Sequence, residues 1–121
     1  MAIEVLIVDE DEDVLDITEA FLGRQDGLTV STEKDPEAAL ERVSSGEFDA
    51  VVSDLTMPDL DGTELCLELR EAGSDVPFVL FSGSGEAEIP DSDGKRCVDR
   101  FVRKGTGSAQ YEDLASYVRE A

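Results

Sequence analysis

At 121 residues the chain falls in the range of one domain built on one hydrophobic core. Thirty Asp and Glu against ten Lys and Arg leave a formal charge of −20, with 40% hydrophobic residues. A field of that sign repels nucleic-acid phosphates and anionic lipid, so neither direct nucleic-acid binding nor membrane attachment is expected.

No apolar run approaches the ~18 residues of a membrane span. Met1-Ala2-Ile3-Glu4 leads straight into apolar sequence, without the basic region or cleavage site of a secretory signal, so a cytoplasmic location is expected. Acidic composition also marks disordered chains, but the apolar runs here are regular and well spaced. The expected explanation is a folded domain whose self-repulsion is screened by the salty interior of a halophile. Cys66 and Cys97 have neither zinc spacing nor a CxxC pattern and are expected to be free thiols.

Ile3 to Val8, broken once by Glu4, reads as a central strand and stops at five consecutive acids, Asp9 to Asp13. Val14, Ile17, Phe21 and Leu22 then recur at helical spacing, with Asp11 or Asp13 as N-cap and Gly23 and Gly27 as terminators. Leu28 and Val30 mark a second strand with one wetter side. Asp35-Pro36-Glu37 is a helix start, an N-cap followed by Pro at the first helical position. That helix carries Ala39, Leu40 and Val43 and ends near Gly46.

Ala50-Val51-Val52 is the short apolar run of a strand covered on both faces. It delivers Asp54 to a strand end, and the breakers Met57-Pro58 and Asp61-Gly62 follow at once. On this stretch alone Asp54 reads equally as a reactive carboxylate or as the cap of the next helix. A third helix, from Gly62 to Gly73, turns Leu65, Leu69 and Ala72 inward. Val76 to Phe81 is the fourth strand, with Pro77 at its entry, and runs into Ser82-Gly83-Ser84-Gly85. Pro90, Asp91 and Gly94 spoil the helix expected between Glu86 and Cys97, which is predicted to be short or distorted. Arg100 to Arg103 is a last strand ending at Lys104-Gly105. Ser108 caps a final helix with Tyr111, Leu114, Ala115 and Val118 on one side.

Five strands alternating with five helices imply an α/β fold: a flavodoxin-like, doubly wound five-stranded parallel sheet of order 2-1-3-4-5, in one domain over residues 1–121. That order makes the ends of strands one and three neighbours, so Asp9 and Glu10 face Asp54, while Ser82 and Lys104 reach the same rim. Three converging carboxylates call for a hard divalent cation, and Mg²⁺ takes one or two carboxylates plus a phosphate oxygen. A lysine and a hydroxyl opposite complete a cradle for a transferring phosphoryl group, for which carboxylates are recognised nucleophiles.

On these residues the chain resembles the receiver domain of two-component response regulators, in the stand-alone form of the chemotaxis regulators. The acidic pair is carried by Ile7-Val8-Asp9-Glu10 and the phosphoacceptor strand and loop by Ser53-Asp54-Leu55-Thr56-Met57-Pro58-Asp59-Leu60-Asp61-Gly62. Phe81-Ser82-Gly83 is similar to the switch hydroxyl region, and Phe101-Val102-Arg103-Lys104 to the switch aromatic and lysine. The resemblance implies that Asp54 accepts phosphate from a histidine kinase or phosphotransfer protein and passes the signal to a downstream protein or output domain. Asp9, Asp54 and the carbonyl of Thr56 would hold Mg²⁺, with Glu10 acting directly or through water. Ser82 and Lys104 would contact the phosphoryl oxygens, Phe101 would swing inward, and Thr56 and Ser84 would tune dephosphorylation. The domain would then act on itself alone, not as an enzyme on an external substrate.

Two departures stand out. Lys104-Gly105 replaces the family's usual Lys-Pro with its cis bond, and a cis bond before a non-proline costs ~3–4 kcal/mol. The broken fourth helix lies in the face through which the family signals. A pseudo-receiver, never phosphorylated and used as a protein-docking module, is the alternative, and a homodimer is left open.

Overall fold

The computed structural model describes residues 2–105 and 107–120. Five parallel strands, β1 (Ile3–Val8), β2 (Leu28–Glu33), β3 (Ala50–Ser53), β4 (Phe78–Ser82) and β5 (Arg100–Arg103), form one sheet in the order β2-β1-β3-β4-β5. This is the expected flavodoxin-like arrangement. Five helices connect and follow them: α1 (Glu12–Gly23), α2 (Pro36–Ser44), α3 (Gly62–Glu71), α4 (Asp93–Cys97) and α5 (Ala109–Glu120). No described helix is long and apolar enough to cross a membrane.

The period-2 alternation of each strand feeds two cores. Leu6, Val8, Val51, Phe78 and Leu80 pack on one face with Ala39 and Val43 of α2 and Leu65, Cys66 and Leu69 of α3. Val5, Ile7, Val52, Val79 and Phe81 pack on the other face with Leu15 and Leu22 of α1 and Leu114, Ala115 and Val118 of α5. Each Val, Leu, Ile or Phe side chain among them, taken fully out of water, contributes about 1.5–3 kcal/mol.

Local signals place the helices. Asp11 caps α1, accepting from the Asp13 N–H, and Asp35 caps α2 with Pro36 at its start. Asp61 and Glu64 close a reciprocal capping box at α3. The inward face of α1 differs from expectation: Leu15, Thr18 and Leu22 are buried, while Ile17 is 48% exposed. Apolar spacing alone left the phase of that helix one residue out. The fourth helix breaks as expected, into a 3₁₀ turn at Glu86–Glu88 and the five residues of α4.

The cysteines require a correction. Cys66 on α3 and Cys97 at the end of α4 are disulfide-bonded, with Cα atoms 6.2 Å apart, rather than free. Thirty-one residues separate them in sequence, and only the packing of α4 along α3 brings them together.

Candidate functional site

Register sets the site before any side chain is considered. Val8 pairs with Ser53 across β1 and β3, so the next residues, Asp9 and Asp54, leave adjoining strand ends together. The Asp54 N–H donates to the Val8 carbonyl at 2.8 Å. Ser82 pairs with Arg103, and the Lys104 N–H donates to the Ser82 carbonyl at 2.7 Å, which brings Lys104 to the same edge. From there its Nζ donates to Asp9 Oδ2 at 2.9 Å and to Asp54 Oδ1 at 3.1 Å. The same ammonium lies 5.5 Å from the centroid of the Phe81 ring.

The electrostatics follow from burial. Asp9 is buried and its other oxygen, Oδ1, accepts from the Asp11 N–H at 2.9 Å. Burial pushes the Asp54 carboxyl above the usual carboxylate range, and the Asp9 charge adds to this; Lys104 opposes both. Burial alone would lower the Lys104 ammonium, but its hydrogen bond to Asp9 and the charges of Asp54 and Asp9 outweigh that and raise it. Lys104 therefore stays charged at neutral pH.

The expected convergence of three carboxylates is not what the structure holds. Glu10 is exposed, one residue past the strand end, and among the described residues it makes no hydrogen bond or ion pair. Asp9 turns inward and Glu10 outward, so two carboxylates and one ammonium meet instead of three carboxylates. No group of three or more candidate metal-ligating side chains occurs among the described residues.

The other expected residues lie around this centre. Ser82 is buried at the end of β4, and its hydroxyl accepts from the half-buried Ser84 N–H at 3.1 Å. Thr56 is exposed two residues after Asp54, and Phe101 is half-buried against the α2/α3-side core. Among the described residues the Ser82 hydroxyl makes no hydrogen bond to Asp54 or to the Lys104 ammonium.

The Lys104-Gly105 peptide is trans. Gln110, buried in the first turn of α5, holds it: its Oε1 accepts from the Gly105 N–H and its Nε2 donates to the Gly105 carbonyl, each at 2.9 Å, and to the Gly107 carbonyl at 3.0 Å. Sequence reasoning missed Gln110, since a glutamine early in a helix carries no local signal of what it will meet. It also read Asp61-Gly62 as a breaker that opens the third helix, without the close contact Gly62 makes. Gly62 is buried against the end of β3: a Cβ there would meet the Asp54 carbonyl oxygen and lie 2.6 Å from Leu80 Cδ1.

Comparison with known proteins agrees with this geometry. A family model, the response regulator receiver domain, matches residues 5–114. The response regulator MprA of Mycobacterium ulcerans is 38% identical over 82 residues, which cover 68% of this chain and 35% of that protein. The chain thus spans about a third of the curated relatives it matches. The receiver domain of the Francisella response regulator 1452 superposes with TM-score 0.80 at 24% identity, covering 97% of this chain and 93% of that one. The Thermotoga maritima response regulator TrrA, in complex with Mg²⁺–BeF, superposes with TM-score 0.81 at 21% identity, covering 96% and 98%. Both likenesses bear on the fold. A family match over residues 5–114, on a fold that brings Asp9, Asp54 and Lys104 to one edge, is decisive: the chain belongs to the receiver domains of two-component response regulators, which are regulatory, phosphorylation-dependent switches.

Proposed function

We propose that Asp54 is the phosphoacceptor of this receiver, that Lys104 and Ser82 engage the incoming phosphoryl group, and that Asp9, Asp54 and the Thr56 carbonyl hold Mg²⁺. The observation that carries this reading is the single ammonium shared by Asp9 and Asp54 at 2.9 and 3.1 Å. It puts two carboxylates from adjoining strands within reach of one cation, and the donor set is all hard oxygen, which suits Mg²⁺. When bound, the ion would offset charge on the phosphoryl oxygens. Glu10, exposed beside the pair, would act on it through water.

An Asp54 carboxylate oxygen attacks phosphorus, and the bond to the donor's nitrogen or oxygen breaks with its electrons leaving on the donor. Lys104 has a side chain that is 24% exposed, so its ammonium can shift from the carboxylates toward the phosphoryl oxygens. The Ser82 hydroxyl follows, and Phe101 moves into the space it leaves, shifting a pre-existing equilibrium. Thr56 and Ser84 flank the approach of hydrolytic water and set the lifetime. The donor is a histidine kinase or phosphotransfer protein of the cytoplasm, the recipient of the signal is a partner protein or output domain, and the only turnover is of the domain's own phosphoryl group.

Incubation with acetyl phosphate and Mg²⁺ in high KCl, followed by intact mass, tests this. The expected result is a gain of one phosphoryl group, abolished by Asp54→Asn and by omitting Mg²⁺. No gain in the parent protein would overturn the reading in favour of a docking module that is never phosphorylated.

A further inference from the structure

We propose that Cys66 and Cys97 form a reversible dithiol–disulfide modification site whose closure fastens α4 to α3 and restrains the 83–97 segment. The restraint on phosphorylation rests on the Asp54 reading; the modification itself does not.

Two contacts one helical turn apart make the seam between α3 and α4. At one, Gly94 lies so close to Thr63 that an added Cβ would come within 2.8 Å of the Thr63 Cβ and 2.9 Å of its carbonyl oxygen. At the other, Cys97 is bonded to Cys66. Five residues are too few for a helix to stand without tertiary support. The rest of the segment's attachment is sparse: Ile89 and, just past the segment, Val98 reach the core, and Glu88 pairs with Arg103 of β5 at 3.9 Å, while the Lys95 ammonium bonds within the segment, to the Ile89 carbonyl. A cavity of about 400 Å³ separates Leu55, Thr56, Met57 and Thr63 from Ile89, Pro90 and Ser92. The segment therefore borders the phosphoacceptor loop across open space, and the sulfur bridge is its covalent hold on the body of the fold.

Both cores are built mainly of aliphatic and aromatic side chains, with Cys66 one member of the first among many, unlike small secreted domains in which disulfides substitute for a core. The two sulfurs also differ in access: Cys66 is fully buried, whereas Cys97 is half-buried at the domain edge. That asymmetry suits stepwise exchange with a low-molecular-weight disulfide of the glutathione class. The Cys97 thiolate attacks one sulfur of that disulfide and expels a thiolate. The Cys66 thiolate then attacks the Cys97 sulfur and expels the second. The protein loses two protons and two electrons, and the oxidant becomes two thiols; a reducing dithiol reverses both steps. A closed bridge disfavours every conformer in which α4 leaves α3; on the reading that a shift of the Ser82 hydroxyl displaces the segment tied to it through the Ser84 N–H, the bridge lowers the phosphorylated fraction.

The full chain is equilibrated in high KCl with graded ratios of reduced and oxidised glutathione, quenched with acid, alkylated with a maleimide in denaturant and weighed intact. The expected result is two alkylated thiols at the reducing end, none at the oxidising end and full return on reversal. Amides of residues 93–98 should exchange about tenfold or more slowly in the oxidised form, with the sheet unchanged. The oxidised form should reach a lower phosphorylated fraction at a fixed acetyl phosphate concentration, and Cys97→Ser should remove all redox dependence. Thiols that never pair in the native protein, or a bridge that resists the reducing end, would overturn the modification. Equal phosphorylated fractions in both redox states would overturn the restraint. Absence of phosphorylation in either state would count against Asp54, while thiol counts and amide exchange still judge the bridge.

Discussion

Gly62→Ala probes how closely α3 is seated on the end of β3, where Asp54 lies. Gly62 is the first residue of α3, and its N–H donates to the Leu55 carbonyl at 2.8 Å. A methyl group there would collide with the Asp54 carbonyl oxygen and press on Leu80 Cδ1 at 2.6 Å. Neither neighbour has room to yield: Leu80 is buried in the core, and the Asp54 carbonyl already accepts from the Ser53 hydroxyl at 2.8 Å. Overpacking of this kind costs about 1–3 kcal/mol. For a domain of this size that lowers Tm by roughly 4–12 °C. Gly23→Ala is the matched control, the same chemical change in open space at the end of α1. It should raise stability by roughly 0.5–1 kcal/mol, because alanine is the better helix residue. Thermal unfolding followed by circular dichroism in high KCl reads both, and the acetyl phosphate reaction reads the displaced Asp54. A Gly62→Ala protein as stable and as reactive as the parent would refute the reasoning.

Gln110→Ala should slow phosphoryl uptake by about ten- to a hundredfold, because Lys104 would lose the anchor on its C-terminal side. Gln110→Glu, which keeps an acceptor for the Gly105 N–H, should fall between; rates equal to the parent in both would dismiss the role. Asp54 has a folded-state pKa above its unfolded value, so its stabilising contribution is present below the unfolded pKa and lost as pH rises through the folded one. Ionised Asp54 is therefore a net cost at neutral pH. Asp54→Asn should melt higher than the parent there, with the gain shrinking as pH falls below the ordinary carboxylate range; a difference independent of pH would contradict this. With a formal charge of −20, Tm should climb steeply between about 0.1 and 1 M KCl as the screening length falls from about 10 to 3 Å. A flat Tm would dispose of adaptation to a halophile's salt.

What was legible in the sequence was what short-range chemistry decides. β1 spans Ile3–Val8 as read, because an apolar run between a polar start and an acidic stop leaves little choice. Pro90 and Gly94 announced the failure of the fourth helix. The phase of α1 was not legible: Thr18, buried with its hydroxyl unpartnered among the described residues, occupies a place that a count of apolar residues gives to Ile17. Asp9, Asp54 and Lys104 could be set on one edge from strand order alone, since register carries residues to strand ends. Glu10 could not, because its direction depends on the turn that follows Asp9. Cys66 with Cys97 and Gln110 with Gly105 are products of packing, invisible to spacing.

The way Lys104 is held bears on how the domain switches. Its backbone is fixed toward the sheet by the Ser82 carbonyl and on the far side, through Gly105, by Gln110. Glycine at 105 would otherwise leave that loop loose. With the backbone anchored and the side chain partly exposed, the ammonium can leave two carboxylates for an incoming group by rotamer change alone. The sheet end thus responds without moving, and any larger displacement must arise where packing is thinnest. The segment from Gly83 to Cys97, built of a 3₁₀ turn and a single turn of helix beside an open cavity, is such a place when the Cys66–Cys97 bridge is open. Ser82 belongs to the sheet, and its hydroxyl accepts the Ser84 N–H, so the first residues of that segment are tied to a hydroxyl at the site. In the proposed reaction, a pull on that hydroxyl is therefore passed through the Ser84 N–H to the start of this segment.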